Sequence, residues 1–240
     1  MENFVLHKSE TRGRADHGWL KSYHSFSFAN YHNPERMHFG VLRVLNDDVV
    51  AGSMGFGTHP HDNMEIITIA LQGDLAHKDS MGNATVIHEG DVQVMSAGTG
   101  IQHSEYNNNK DRAVELLQIW LFPNKRNVTP RYDQISLDAS HRHNKLQQIL
   151  SPNEGDEGVW IHQDAWFHLG KFEAGFGADY QLKNPKNGVY LFVVQGSFLV
   201  ENQVLAHRDG CGFWSGDSLT MQATSSDAEI LVMELPMEIN

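Results

Sequence analysis

Cysteine is almost missing: the 240 residues contain only Cys211. A single thiol excludes an internal disulfide and a zinc cage built of thiolates. Long apolar runs are missing as well. Stretches such as Gly188 to Val194 fall far short of the roughly 20 residues a spanning helix needs. Positive charge is scarce: 18 Lys and Arg stand against 30 Asp and Glu, a formal net charge of -12 at pH 7. No run of Lys and Arg exceeds two residues, so the chain repels phosphate backbones and direct nucleic-acid binding is not expected. The opening run Met1-Glu2-Asn3-Phe4 lacks a basic segment followed by an apolar one, so no export signal is expected. With the lone cysteine this points to a reducing cytoplasm.

Helical periodicity is equally scarce. Short apolar-polar alternations bounded by Gly, Asn and Asp recur instead, the mark of an all-β sandwich or barrel. Strands are expected at His38 to Leu45, Met64 to Leu71, Asp91 to Met95 and Ala113 to Phe122. In the second half they are expected at Val159 to His162, Val189 to Val194, Ser197 to Val200, Ser218 to Met221 and Glu229 to Leu235. Ser80-Met81-Gly82-Asn83 reads as a hairpin turn, and Leu146 to Leu150 as a short helix. The polar stretch Leu137 to Asn144 reads as a linker, dividing the chain into 1–136 and 137–240.

The halves echo each other. Ile69-Ala70-Leu71-Gln72-Gly73 matches Phe192-Val193-Val194-Gln195-Gly196, and Glu89-Gly90-Asp91 matches Ser215-Gly216-Asp217. This predicts a duplicated β-sandwich.

Against that background two triplets stand out, His59-Pro60-His61 and His103-Ser104-Glu105. In a strand, residues two apart share a face. Two such strands side by side bring three imidazoles and one carboxylate to one point, a donor set for a borderline divalent transition metal. An H-x-H pair alone carries little weight among 15 histidines; His141-Arg142-His143, in the polar linker, reads as a solvated loop. The first triplet gains weight from Gly52, Gly55 and Gly57 before it and Glu65 after it, the second from Gly90, Gly98-Thr99-Gly100 and Asn107. In the second half, the offsets of His59 and His61 from Gly73 lead from Gly196 to Leu182 and Asn184. The region matching the second triplet, Ser225 to Ala228, has no histidine either. A metal site is therefore expected in the first half only.

The two blocks resemble the paired motifs of the cupin superfamily, with Ser96 where the second motif usually has proline. A closer resemblance, covering nearly the whole chain, is to the pirin family. It rests on His17-Gly18-Trp19-Leu20, Ser25-Phe26-Ser27-Phe28-Ala29-Asn30-Tyr31, Phe56-Gly57-Thr58-His59-Pro60-His61 and Met95-Ser96-Ala97-Gly98-Thr99-Gly100-Ile101-Gln102-His103-Ser104-Glu105. The resemblance implies a bicupin whose first half binds iron through His59, His61, His103 and Glu105. Glu65, a ligand in many other cupins, would then support those ligands from behind or serve the fold. Fe(II) is the implied metal, and Ni, Co, Mn, Cu and Zn are compatible with the same donors. The implied activity is that of a quercetin 2,3-dioxygenase, which opens the central ring of a flavonol with O2 and releases CO. Glu105 would be the general base. The alternative that the family suggests is a metal- or redox-sensing regulator that binds a protein partner without turnover. A monomer is expected.

Aromatic side chains offer a wall for a flavonol-like substrate. Phe26, Phe28, Tyr31, Phe56 and Trp120 are candidates, Phe56 foremost because it precedes the first ligand by three residues. His24, His32 and His38 read as packed or surface histidines, Cys211 as a small buried hydrophobe, and Lys8, Arg12 and Arg14 as solvated.

Overall fold

The computed structural model describes residues 3–239, so Met1 and Glu2 of the opening run lie outside the described residues. The first half carries β1 (Asn3–His7), β2 (Gly13–Asp16), β3 (Leu20–His24), β4 (Leu42–Val50), β5 (Gly55–His61) and β6 (Glu65–Gln72). It continues with β7 (Leu75–Asp79), β8 (Ala84–Ile87), β9 (Asp91–Ser96), β10 (Ile101–Asn107), β11 (Val114–Leu121) and β12 (Arg131–Ser136). The second half carries β13 (Leu146–Ser151), β14 (Val159–Trp160), β15 (Trp166–Phe172), β16 (Gly177–Gln181) and β17 (Gly188–Gln195). It ends with β18 (Phe198–Val200), β19 (Gln203–Leu205), β20 (Gly210–Trp214), β21 (Ser218–Ala223) and β22 (Ala228–Leu235).

One arrangement is built twice. A seven-stranded sheet runs β2-β3-β4-β11-β6-β9-β12, and its counterpart runs β14-β13-β15-β22-β17-β20-β1. Each is accompanied by a four-stranded sheet, β5-β10-β7-β8 or β16-β21-β18-β19. This is the all-β, bicupin architecture. The equivalence also holds in detail: Gly73 and Gly196, which end the matched runs, turn the chain at φ 75° and 70°, a conformation that suits glycine. One end strand crosses between the halves. β1 pairs with β20, so residues 3–7 lie in the sheet of the second half, and β12 closes the sheet of the first.

The second half of the repeat match is corrected by hydrogen bonding. Gly90 N donates to Ala70 O and Arg208 N to Val193 O. In both places an aspartate caps its turn, Asp91 accepting from His88 N at 2.8 Å and Asp209 from Ala206 N at 2.9 Å. Arg208-Asp209, not Gly216-Asp217, is therefore the counterpart of Gly90-Asp91. Glycine-aspartate letters recur at many turns, whereas the paired carbonyl fixes the position.

Central strands such as β6 and β17 are covered on both faces, which is why they read as unbroken apolar runs. Ile67, Ile69, Leu117 and Ile119 face the opposite large sheet and pack with Phe167, Phe192, Leu231 and Met233 in one cluster joining the halves. Their neighbours in sequence point the other way. Inside the second barrel those neighbours meet Tyr180, Phe198, Leu219 and Met221 in a continuous apolar filling. The interior of the first barrel is split into two smaller clusters, around Leu75 and Leu116 and around Ile66 and Met95. Between them lies a polar rung.

Two local expectations fail. Leu146 to Leu150 is strand β13, paired with β15, because tertiary pairing overrides a short ambiguous pattern. Arg12 is not solvated: its guanidinium is buried 3.1 Å from Asp47 and lies over Tyr23. Lys8 pairs with Asp209 at 2.8 Å. The linker forms a short 3-10 turn, Ala139–Arg142, with His141 and His143 exposed as expected. Among the described residues, no helix is long and apolar enough to cross a membrane.

Candidate metal centre

β5 and β10 lie side by side and antiparallel, with His59 opposite His103 and His61 opposite Ile101. Glycine permits the approach: a Cβ on Gly55 would sit 2.2 Å from the Glu105 carbonyl oxygen, and one on Gly52 would sit 2.2 Å from that of Lys110. Gly57 meets nothing so close. The donor atoms of His59, His61 and His103 lie within 4.8 Å of one another. His61 Nε2 and His103 Nε2 stand 3.1 Å apart. His59 Nδ1 bonds the Gly57 carbonyl at 2.8 Å, which puts the proton on Nδ1 and leaves Nε2 as the donor to a metal. Burial, reinforced by the neighbouring imidazoles, lowers the pKa of His61 to about 4 and that of His103 to about 2. Both rings are therefore neutral, with lone pairs available. Three imidazoles converging in this way fit a borderline divalent transition metal.

Glu105 stands to one side of this triad. The register shifts after His103, so that Glu105 faces Phe56, leaving two residues between Phe56 and His59 on β5 against one between His103 and Glu105 on β10. On its other edge Glu105 pairs with His77 of β7, and His77, His103 and Glu105 form a second overlapping group within 4.8 Å. Burial pushes the Glu105 carboxyl up to about 7, and Asp48 pushes it the same way. Gln118 Nε2 donates to both Glu105 oxygens at 3.3 Å, while Gln118 Oε1 accepts from Thr68 Oγ1. His77 is buried between the rings of His103 and Tyr132, its Nε2 3.4 Å from Asp79.

His59, His61, His103, Glu105 and Gln118 border a cavity of about 460 Å³, whereas His77 lies behind its lining. Phe28, Phe56 and Trp120 line it, and Trp19 packs edge-on against Phe56. Trp120 meets the rings of both His61 and Phe28. Phe26 instead belongs to the core between the halves, packed on Tyr190. The Tyr31 ring stacks on His24, outside the cavity lining, and covers Gly13. His24 is buried and lines the cavity, whereas His32 and His38 do not. Glu65 is buried but joins neither histidine group: it accepts from Ser96 Oγ at 2.7 Å. Cys211 is buried, its thiol pushed up to about 12.

In the second barrel the strands equivalent to β5 and β10 are β16 and β21, not the segments that counting from Gly196 suggests. Tyr180, Leu219 and Met221 occupy those strands and fill the interior. Among the described residues the histidine groups lie in the first barrel alone. His77, Asp48 and Gln118 were not read as site residues. They sit on strands whose burial is visible only once the sheet is assembled, although the alternation Leu75-x-His77-x-Asp79 carried a hint.

Residues 5–121 match the family model described as Pirin, and residues 148–235 match one described as the quercetinase C-terminal cupin domain. The chain is 41% identical over 231 residues to the quercetin 2,3-dioxygenase of Escherichia coli (strain K12), covering 96% of this chain and 98% of that one. It is 38% identical to a pirin-like protein of Caulobacter vibrioides, covering 92% and 95%. The crystal structure of the bacterial pirin YhhW from Escherichia coli in complex with nickel(II) superposes with a TM-score of 0.92, at 39% identity over 99% of this chain and 100% of that one. In sequence, in its twofold barrel architecture and in the histidine cluster of its first barrel, the chain belongs to the pirin family of bicupins.

Proposed function

We propose that this protein is a metal-dependent flavonol dioxygenase, using O2 to open the central ring of a substrate such as quercetin with release of CO. His59, His61, His103 and Glu105 hold the metal, Fe(II), as the family resemblance implies. The observation that carries this reading is that three imidazoles and a buried carboxylate share one cavity with aromatic walls. At about 460 Å³ the cavity lies within the usual range for small-molecule sites. The activity named for the Escherichia coli relative points the same way.

When bound, the metal supplies Lewis acidity that lowers the pKa of a coordinated hydroxyl. The side chains do the rest. Glu105 accepts the proton of the substrate's 3-hydroxyl, and Gln118 holds the carboxylate in place from behind. Phe28, Phe56 and Trp120 clasp the flat rings and exclude water. Iron-loaded protein incubated with quercetin is expected to consume O2 as the flavonol absorbance falls, with CO trapped by a haem protein. His59→Ala is expected to lose this activity. Equal rates for wild type and variant would overturn the proposal.

A further inference from the structure

The cavity has a second polar group, carried on β3 and β4 rather than on the histidine strands β5 and β10. Ser22 and His24 lie two apart on β3, Asn46 and Asp48 two apart on β4, and the register sets Ser22 against Asp48 and His24 against Asn46. Strand alternation sends all four to one face, and all four line the cavity that holds the imidazoles. None is more than 5% exposed. Buried polar groups of this kind are costly unless each finds a partner.

Part of that demand is met inside the protein. His24 Nδ1 donates to Asn46 Oδ1 at 2.8 Å, which leaves His24 Nε2 as an acceptor. Ser22 Oγ donates to Asp48 Oδ1. Among the described residues, Asp48 Oδ2 and His24 Nε2 have no hydrogen-bond partner. Both are acceptors, on neighbouring strands. Their complement is a pair of adjacent O–H donors carried on a flat body that fits between the aromatic walls.

We propose that Asp48 and His24, set by Ser22 and Asn46, form a specificity subsite for two adjacent phenolic hydroxyls of the substrate. This rests on the flavonol reading of the cavity. Burial pushes the Asp48 carboxyl up to about 7, as befits a carboxylate with one donor where it has room for more.

The test compares two flavonols under nitrogen on the metal-loaded protein, followed by tryptophan quenching. One is quercetin, with two adjacent hydroxyls on its pendant ring, and the other lacks both. At about pH 8, where the Asp48 carboxylate is mostly ionised, wild type is expected to prefer quercetin by about tenfold or more, the worth of a hydrogen bond to a charged acceptor. Asp48→Asn keeps an acceptor for Ser22 but turns the free acceptor into a donor, and is expected to bring the ratio of dissociation constants close to one. His24→Phe keeps a ring against Phe28 and Tyr31 but removes both nitrogens, and is expected to act likewise. No preference in wild type, or a preference that survives in either folded variant, overturns the subsite. Oxygen uptake on the same samples tests the dioxygenase reading separately: preference without turnover removes the reaction and keeps the subsite, and turnover without preference does the reverse.

Discussion

Gln118 is the residue that ties the candidate base to the sheet behind it. It contacts Glu105 rather than the histidine triad, so it acts as a positioning residue. Gln118→Ala is expected to weaken metal affinity or turnover about 10–100-fold, measured by competition with a chelator and by initial rates. Unchanged values for both would remove it from the site. Gly55 makes a different demand, because any Cβ there collides with the Glu105 backbone. Gly55→Ala is expected to cost about 1–3 kcal/mol in chemical denaturation and to lower bound metal per chain, since β5 must move away from β10. A variant that keeps full metal content would show that the close approach is not needed. Glu65 illustrates a third role. Burial raises its carboxyl to about 7, so the folded protein holds this proton more tightly than the unfolded chain does. Its stabilisation is present at low pH and is lost as the pH rises through about 7. Glu65→Gln, which cannot titrate, is expected to gain roughly 1–3 kcal/mol on wild type between about pH 5 and pH 8. Urea titrations at both pH values measure it, and a constant difference would contradict the assignment.

At the scale of elements, legibility follows burial pattern and turn chemistry. Strands β6, β11, β17 and β22 were readable because covering on both faces leaves long apolar runs. The hairpin at Ser80 to Asn83 was readable from its glycine, and Asp79 proves to cap it. The pairing of β5 with β10 followed from two period-two triplets, and so did the meeting of the three histidines. The offset of Glu105 toward His77 was not legible, because it arises from a register shift that no single strand encodes. The same holds for the rung His24–Asn46–Gln118–Thr68–Gln93, whose members lie far apart in sequence and meet only through pairing. Short strands such as β2, β8 and β19 carry too few residues to show alternation. β1 reads as an ordinary terminal segment, and nothing local says that it joins the far sheet.

Across the whole molecule, duplication has left one barrel open and one filled. The second interior is closed by Tyr180, Phe198, Leu219 and Met221, while the first gives up continuous apolar packing for its polar rung and cavity. The barrels share the cluster between the large sheets, and β1 of the first half completes the sheet of the second, so they are expected to unfold together. Leu231→Ala, fully buried in that cluster, is expected to cost about 2–5 kcal/mol and to lower one calorimetric transition. Two separated transitions would mean that the halves are independent. The most direct test of the central claim is the oxygen stoichiometry of quercetin turnover before and after chelation of the protein's metal. The expected result is one O2 consumed per quercetin lost, abolished by the chelator and restored by adding Fe(II). Turnover that continues undiminished in the metal-free protein would contradict it.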